Sequence, residues 1–302
     1  KQVIEDLHSW GSNFEVASLK EIGLTPIMAK VFNGSCKTEE ELSIAIKQKH
    51  LINVDSVSEI EKISKLVKGK KHNIGLRMSF DDSKFGFNSN EIEDIVQFCS
   101  HKNLSVIGIH SHSGTQLGIS MFEENIKKIA QIINSLRKKI SLKYIDIGGG
   151  FPDKNQLSYN HRTIEDYFKI IKNYLGQYST TIILEPGRYC VSDAFDLITK
   201  VQVIKKKNRK VFAILDAGIN ILSKITLSRF TFELLNNQSN NISNKGKTEY
   251  ILSGPLLFGN DTLGKYFGNL KEGDLLKVSN VGAYCYNLAW EISYDKPKII
   301  IE

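Results

Sequence analysis

Four short stretches of the sequence gather residue types able to do chemistry. Gly108-Ile109-His110-Ser111-His112-Ser113-Gly114-Thr115-Gln116 ends an apolar run with imidazoles at positions i and i+2. On a strand that spacing aims both rings to one face, so metal ligation is one reading. No Asp, Glu or Cys follows at ligand spacing, and no metal is expected. Core histidines satisfied by backbone, or a ring placed over a flat ligand, are the other readings. Asp146-Ile147-Gly148-Gly149-Gly150-Phe151-Pro152 runs a strand into three glycines, whose amides can approach an anion without Cβ obstruction, although a tight turn needs no ligand. Leu184-Glu185-Pro186-Gly187-Arg188-Tyr189 sets a carboxylate and a guanidinium three residues apart. A plain ion pair would explain them; with the glycines nearby, Arg188 could neutralise phosphate and leave Glu185 to face a protonated ring nitrogen. Val281-Gly282-Ala283-Tyr284 offers a tyrosine hydroxyl as a further donor.

These residues act together only if the chain brings them to one mouth. β-branched runs at Phe14 to Ala17, Ile27 to Phe32, Ile52 to Val54, Ile74 to Ser79, Ser105 to His110, Lys143 to Ile147 and Thr180 to Leu184 alternate with amphipathic stretches. The stretches at Thr38 to Lys47, Val57 to Val67, Glu91 to Phe98, Ser120 to Lys138 and Ile164 to Leu175 repeat apolar residues at three and four. Such βα alternation implies a parallel sheet with right-handed crossovers. Seven strands fall one short of a (β/α)8 barrel of the TIM type. Lys1 to Ser9 already reads as a helix, so the first strand is expected before residue 1. Chemistry in such barrels sits at the C-terminal strand ends, where the first three clusters fall.

Beyond a helical stretch at Asp193 to Ile198 the pattern turns to strands at Val201 to Ile204, Val211 to Leu215, Tyr250 to Leu252, Leu275 to Val278, Tyr284 to Trp290 and Lys298 to Ile301. Asn236 to Lys247 reads as a mobile loop. An α/β barrel over 1–199 and a mostly β domain over 200–302 are expected.

The 302 residues are too many for a simple binding module, and 41% hydrophobic with 24% charged residues excludes a disordered chain. The net charge of +7 does not indicate nucleic acid, because the one dense basic run, Lys205 to Lys210, lacks interleaved aromatics and suits a solvated hairpin tip. No apolar run approaches a bilayer span and the start does not read as a signal peptide, so a cytoplasmic protein without a membrane partner is expected. Cys36, Cys99, Cys190 and Cys285 form no CxxC pair and suit free thiols in a reducing compartment.

A phosphate cradle, a flat-ring platform and a carboxylate for a ring nitrogen together describe pyridoxal 5′-phosphate. The ordered set GIHSHSGTQ, YIDIGGGF, LEPGRY, LDAGIN, SGPLLFGND and VGAY resembles the fold type III pyridoxal-phosphate decarboxylases, which act on ornithine, diaminopimelate, lysine or arginine. The HSHSGTQ and DAGIN forms look closer to the diaminopimelate branch. The resemblance implies an alanine-racemase-like barrel followed by a β domain, a homodimer with shared active sites, and an amino-acid substrate. It implies that His112 stacks on the cofactor ring and that Thr115, Gly149, Gly150, Gly187, Arg188 and Tyr284 hold its phosphate end. Glu185 would keep the ring nitrogen protonated, so that electrons from the breaking bond between Cα and the carboxylate drain into the ring.

Three departures bear on the expected chemistry. The family's cofactor-binding lysine sits in the first barrel strand, and no such segment stands in this sequence. Leu257 and Phe258 occupy positions where the family has a cysteine, often followed by an acid; Asp261 matches a later acid. Lys224 and Ser228 stand where diaminopimelate decarboxylases have an arginine and a tyrosine for the distal carboxylate. With Lys224, Leu257, Phe258 and Asp261 as the substrate side, the expected activity is decarboxylation of an amino acid other than diaminopimelate, less polar or carried on a larger group. The alternative is a non-catalytic dimeric relative, and a racemase is a third, weaker reading because racemases of this fold place arginine opposite the ring nitrogen.

Overall fold

The computed structural model describes residues 2–25, 29–223, 225–235 and 247–301. Lys1, Lys224 and nearly all of the expected loop from Asn236 lie outside the described residues, as do positions 26–28 of the second expected strand. The chain divides into two compact units, Lys1–Gly150 with Ile164–Pro186, and Phe151–Thr163 with Gly187–Glu302. The division falls ahead of residue 200 because Arg188 and Ser192 bond within the second unit, to Ser228 and Gly282.

In the first unit α1 (Gln2–Ser9), β1 (Phe14–Val16), α2 (Leu19–Leu24), β2 (Ala29–Phe32), α3 (Glu39–Lys47), β3 (Leu51–Val54), α4 (Val57–Leu66), β4 (His72–Met78), α5 (Ile92–His101), β5 (Leu104–Ser111), α6 (Ile119–Leu136) and β6 (Tyr144–Asp146) follow in order. After α7 (Lys154–Tyr159), which belongs to the second unit, come α8 (Ile164–Leu175) and β7 (Thr181–Ile183). All seven strands pair in parallel, each with the next in sequence, from β1 to β7. This is a seven-stranded all-parallel sheet, as the βα alternation predicts.

Local chemistry explains these elements. Thr38 and Glu41 form a capping box that starts α3. In α6, buried Phe122, Ile126, Ile129, Ile133 and Leu136 recur at three and four, and in α8 Tyr167, Ile171 and Leu175 recur at four. Each such side chain contributes about 1.5–3 kcal/mol when fully buried.

Strand register creates the layers that carry the site. Val54, Leu76, Ile109 and Ile145 stand side by side and are buried against the helices. The alternate row joins Asn53, Gly75, Gly108 and Tyr144, and two residues further along come Arg77, His110 and Asp146. Period-two alternation sends these rows to the other face of the sheet. A Cβ on Gly75 or Gly108 would overlap the Tyr144 phenol ring or hydroxyl, so the glycines make room for that ring.

The second unit opens with α9 (Gly187–Val191) and builds a six-stranded sheet from β8 (Leu197–Lys207), β9 (Lys210–Leu215), β10 (Thr231–Leu234), β11 (Thr248–Ser253), β12 (Thr262–Gly268) and β13 (Leu275–Ser279), ordered β10-β13-β8-β9-β11-β12. Its pairs are antiparallel except β9 with β11, making the sheet mixed. The helix expected at Asp193 to Ile198 is a single 3-10 turn, Ser192–Ala194, because Leu197, Thr199 and Val201 alternate inward as the start of β8. Tyr284 to Trp290 is not the expected strand: Tyr284 has φ +58° and Tyr286–Leu288 forms another 3-10 turn. Lys298 to Ile301 is likewise outside any strand, with Ile300 and Ile301 exposed to solvent. No helix among the described residues is long and apolar enough to cross a membrane.

Candidate functional site

The polar residues of the first unit meet at the C-terminal ends of β2, β3, β5, β6 and β7. Tyr144 donates from its hydroxyl to Asn53 Oδ1 at 2.7 Å, and Asn53 Nδ2 donates to Asn33 Oδ1 at 2.9 Å and Asp146 Oδ2 at 3.2 Å. Asn33 Nδ2 in turn donates to Glu185 Oε1 at 2.7 Å. The Gly148 N–H holds the second Asp146 oxygen at 3.0 Å. His110 Nε2 lies 3.9 Å from Glu185 Oε2, and neither ring nitrogen has a hydrogen-bond partner among the described residues although the ring is 1% exposed.

Two carboxyls so close in a dry setting cannot both ionise at ordinary cost. Burial, then the charges of Asp146 and Glu15, push the Glu185 carboxyl up to about 10. Burial raises Asp146 to about 6 against the hydrogen bonds that favour its charged form. The pair therefore shares a proton held mainly at Glu185. Burial, reinforced by the field of Arg77, drives His110 well below the usual imidazole range and keeps it neutral.

His112 is exposed at the end of β5, and its Nδ1 accepts the Gly149 N–H at 3.1 Å, which fixes the ring's orientation. Burial and Arg77 lower its pKa. The three glycines have packing reasons of their own. Gly148 and Gly150 take φ +65° and +87°, and a Cβ on Gly149 would stand 2.6 Å from the Glu185 carbonyl oxygen. The Gly148 and Gly149 amides are engaged within the site, whereas the Gly150 N–H makes no hydrogen bond among the described residues. Thr115 is exposed in the loop after β5.

Lys37 is the buried lysine among the described residues of this unit. Its ammonium donates to Gly34 O at 2.6 Å, Asn53 O at 2.9 Å and Glu59 Oε2 at 2.9 Å, so all three protons serve structure. Arg77 pairs with Asp55 at 3.5 Å and stacks over Phe85 at 4.2 Å.

A second polar group lies in the other unit. Arg188 is buried, donates from Nη1 to Ser228 Oγ at 2.8 Å and stacks on the Tyr284 ring at 4.7 Å, while its buried Nε has no partner among the described residues. Ser228 thus positions Arg188, a role its spacing in the sequence does not reveal. Gly187 opens the short helix that carries Arg188 and has open space around its α-carbon. Gly282 packs against the Val191 carbonyl with no room for a side chain.

Asp261, expected on the substrate side, serves the local structure. It is 4% exposed and its oxygens accept Ile219 N–H at 2.8 Å and Leu256 N–H at 2.9 Å, clasping the DAGIN loop to the GPLLFGND loop. Gly218 and Gly254 are glycine because a Cβ would strike that carboxylate. By contrast Leu257 at the loop tip is fully exposed and Phe258 leans on Trp290 with ring centroids 6.0 Å apart.

Sequence spacing brought out His112, the glycines, Glu185, Arg188 and Tyr284, but missed Asn33, Asn53 and Tyr144 as partners. Asn33 follows the apolar Val31-Phe32 at the end of β2, where a polar residue in a barrel faces the mouth, and that was the available signal.

The family model of the pyridoxal-dependent decarboxylase pyridoxal binding domain matches residues 1–192, and that of the C-terminal sheet domain matches residues 188–282. A diaminopimelate decarboxylase of Aquifex aeolicus is 30% identical over 300 residues, covering 92% of this chain and 70% of its own length. The crystal structure of diaminopimelate decarboxylase from Helicobacter pylori complexed with L-lysine superposes with TM-score 0.82 at 27% identity, over 96% of this chain and 78% of that one. The arginine decarboxylase of Paramecium bursaria Chlorella virus shares the fold, with TM-score 0.76 at 21% identity over 95% and 81% of the two chains.

Proposed function

This chain belongs to the pyridoxal-dependent decarboxylases, and we propose that it binds pyridoxal 5′-phosphate and serves the decarboxylation of an amino acid whose distal end carries no strong charge. The observation that carries the reading is the half-buried Glu185 carboxyl, held by Asn33 and with its pKa raised by burial and by the charge of Asp146, beside a His110 ring with no hydrogen-bond partner among the described residues. A carboxyl in that position suits a pyridine nitrogen, which brings the positive charge the acid pair lacks. Pyridoxal 5′-phosphate, when bound, supplies a ring that takes up the electron pair left as carbon dioxide departs from Cα.

The chain's own residues do the rest. Glu185 holds the proton at the ring nitrogen, and Asn33 keeps its carboxyl in place. His112, oriented by Gly149, presents an exposed flat face to the ring. The open Gly150 amide suits a phosphate oxygen, and Arg188, with a spare buried N–H and with Tyr284 beneath it, suits the phosphate charge. Thr115 and Gly187 border the same chain segments and are proposed as further phosphate contacts.

The substrate part of the reading rests on the loop from Gly254 to Asp261. Its one acid accepts backbone amides and its tip is leucine, so it offers no free charge to an ammonium or carboxylate at the far end of a substrate. The exposed Leu257 suits a subunit contact in a homodimer whose partners share active sites. Catalysis also needs an amine to bind the cofactor, and Lys37 is not available for it.

The test is a carbon dioxide release assay on the full-length protein with pyridoxal 5′-phosphate, across apolar, carrier-linked and diaminoacid substrates. Release from the first two classes with little from diaminopimelate is expected. Full-rate turnover of diaminopimelate would overturn the substrate reading, and no turnover of any amino acid by cofactor-loaded protein would favour a non-catalytic dimeric relative. Arg188→Ala is expected to weaken cofactor binding about 10- to 100-fold, as for one charge-assisted hydrogen bond.

A further inference from the structure

We propose that His110, Asp146 and Glu185 form a divalent-cation site of the borderline class, taking Zn²⁺, Co²⁺ or Mn²⁺ when the cofactor is absent and giving the ion up when the cofactor binds. The trio comes from the ends of β5, β6 and β7, and one ring nitrogen and two carboxylate oxygens all lie within 4.8 Å of one another. The histidine pair at i and i+2 does not supply the ligands; its partners are Asp146 and Glu185, far away in sequence and adjacent in the sheet, since His110 stands in register with Asp146.

The unpartnered state of His110 points to a ligand. A buried polar atom left without a hydrogen bond costs about 1–3 kcal/mol, and this ring leaves both nitrogens so, inside a network where every neighbouring amide is paired. Its Nε2 is directed toward Glu185, 3.9 Å away. A lone pair facing two carboxyl groups that share one proton is a place for a cation that all three can bind, the ion displacing that proton to solvent.

The donor set selects the ion. One imidazole with two carboxylates suits Zn²⁺, Co²⁺ or Mn²⁺, whereas an all-oxygen cage would suit Mg²⁺ or Ca²⁺. Bonds of about 2.1 Å in a tetrahedral site set donors about 3.4 Å apart, so the trio must contract by roughly an ångström. Outer partners are already in place: Asn53 and the Gly148 amide orient Asp146, and Asn33 orients Glu185. Water or hydroxide would complete the coordination. Exclusion of the metal by the cofactor rests on the reading of Glu185 as the ring-nitrogen partner, because its carboxyl cannot serve both.

The test titrates Co²⁺ into the full chain, stripped of cofactor, and follows the visible d–d absorption. One equivalent per chain is expected, with X-ray absorption reporting one imidazole nitrogen among oxygens. His110→Gln, which keeps a polar side chain of similar reach, is expected to weaken the ion at least about 100-fold, with thermal unfolding in chelator showing that the variant folds. Pyridoxal 5′-phosphate added to the cobalt form is expected to abolish the band. No band, sulfur ligands from a cysteine, or an unchanged affinity in His110→Gln would overturn the site. A band that persists in cofactor-saturated protein would leave the metal site standing and overturn both the exclusion and the placing of the ring at Glu185.

Discussion

At the scale of single residues, the chemistry turns on where one proton resides. Glu185 keeps a proton in the folded, cofactor-free chain up to about pH 10, whereas an ordinary glutamate titrates at 4.5. Between those values the folded state binds more protons than the unfolded one, so stability must fall as pH rises. Its contribution is fully present below about pH 4.5 and is lost progressively toward pH 10; Asp146, raised from 3.8 to about 6, acts in the same direction over a narrower window. The thermal midpoint of cofactor-free protein is therefore expected to decline between about pH 5 and pH 9, and Glu185→Gln to flatten that decline. A midpoint rising with pH in the parent protein would contradict the shared proton. With cofactor present, the same variant is expected to retain the cofactor absorbance while kcat drops by about 10²- to 10³-fold, the usual scale for removing one preorganised electrostatic partner. An amide cannot carry the negative charge that holds a proton on the ring.

At the scale of elements, the βα rhythm of the first unit was readable because β-branched runs and three-four apolar spacing are both strong there, and α8 begins and ends where its pattern does. Short pieces were not. β10, a four-residue strand, and α2 and α7, six residues each, rest on caps and tertiary pairing more than on periodicity, as with the Asp153 cap on α7. Tyr284 defeated the strand pattern around it by taking a left-handed backbone. In the site, residues within one motif were legible, but the links joining Asn33, Asn53, Tyr144 and Asp146 connect the ends of β2, β3 and β6, far apart in sequence, and follow from how the strands are set side by side. Gly75 and Gly108 express that register as a steric demand. Gly108→Ala is expected to destabilise the fold by about 1–3 kcal/mol, as overpacking does, and to displace the Tyr144 ring. Chemical denaturation measures the first and loss of ordered Tyr144 resonances the second; a variant as stable as its parent would mean that the sheet yields more readily than its packing implies.

At the scale of the whole molecule, the two units hold different kinds of group. The first holds the acid pair, the imidazoles and the glycine turn, and the second holds the guanidinium, the tyrosine and the exposed leucine. A leucine fully open to water at the tip of a loop clasped by Asp261 is expected to be covered by a second copy of the chain. Light scattering after size exclusion should give a dimer for the parent and a shift toward monomer for Leu257→Asp; a monomeric parent, or a variant that dimerises equally well, would remove that role for the loop. The central claim concerns the mouth formed at the ends of β5, β6 and β7. A crystal structure of the full-length protein grown with excess pyridoxal 5′-phosphate tests it most directly. The account predicts the pyridine ring over His112 with its nitrogen at Glu185; a vacant mouth, or a ring nitrogen turned away from that carboxyl, would contradict it.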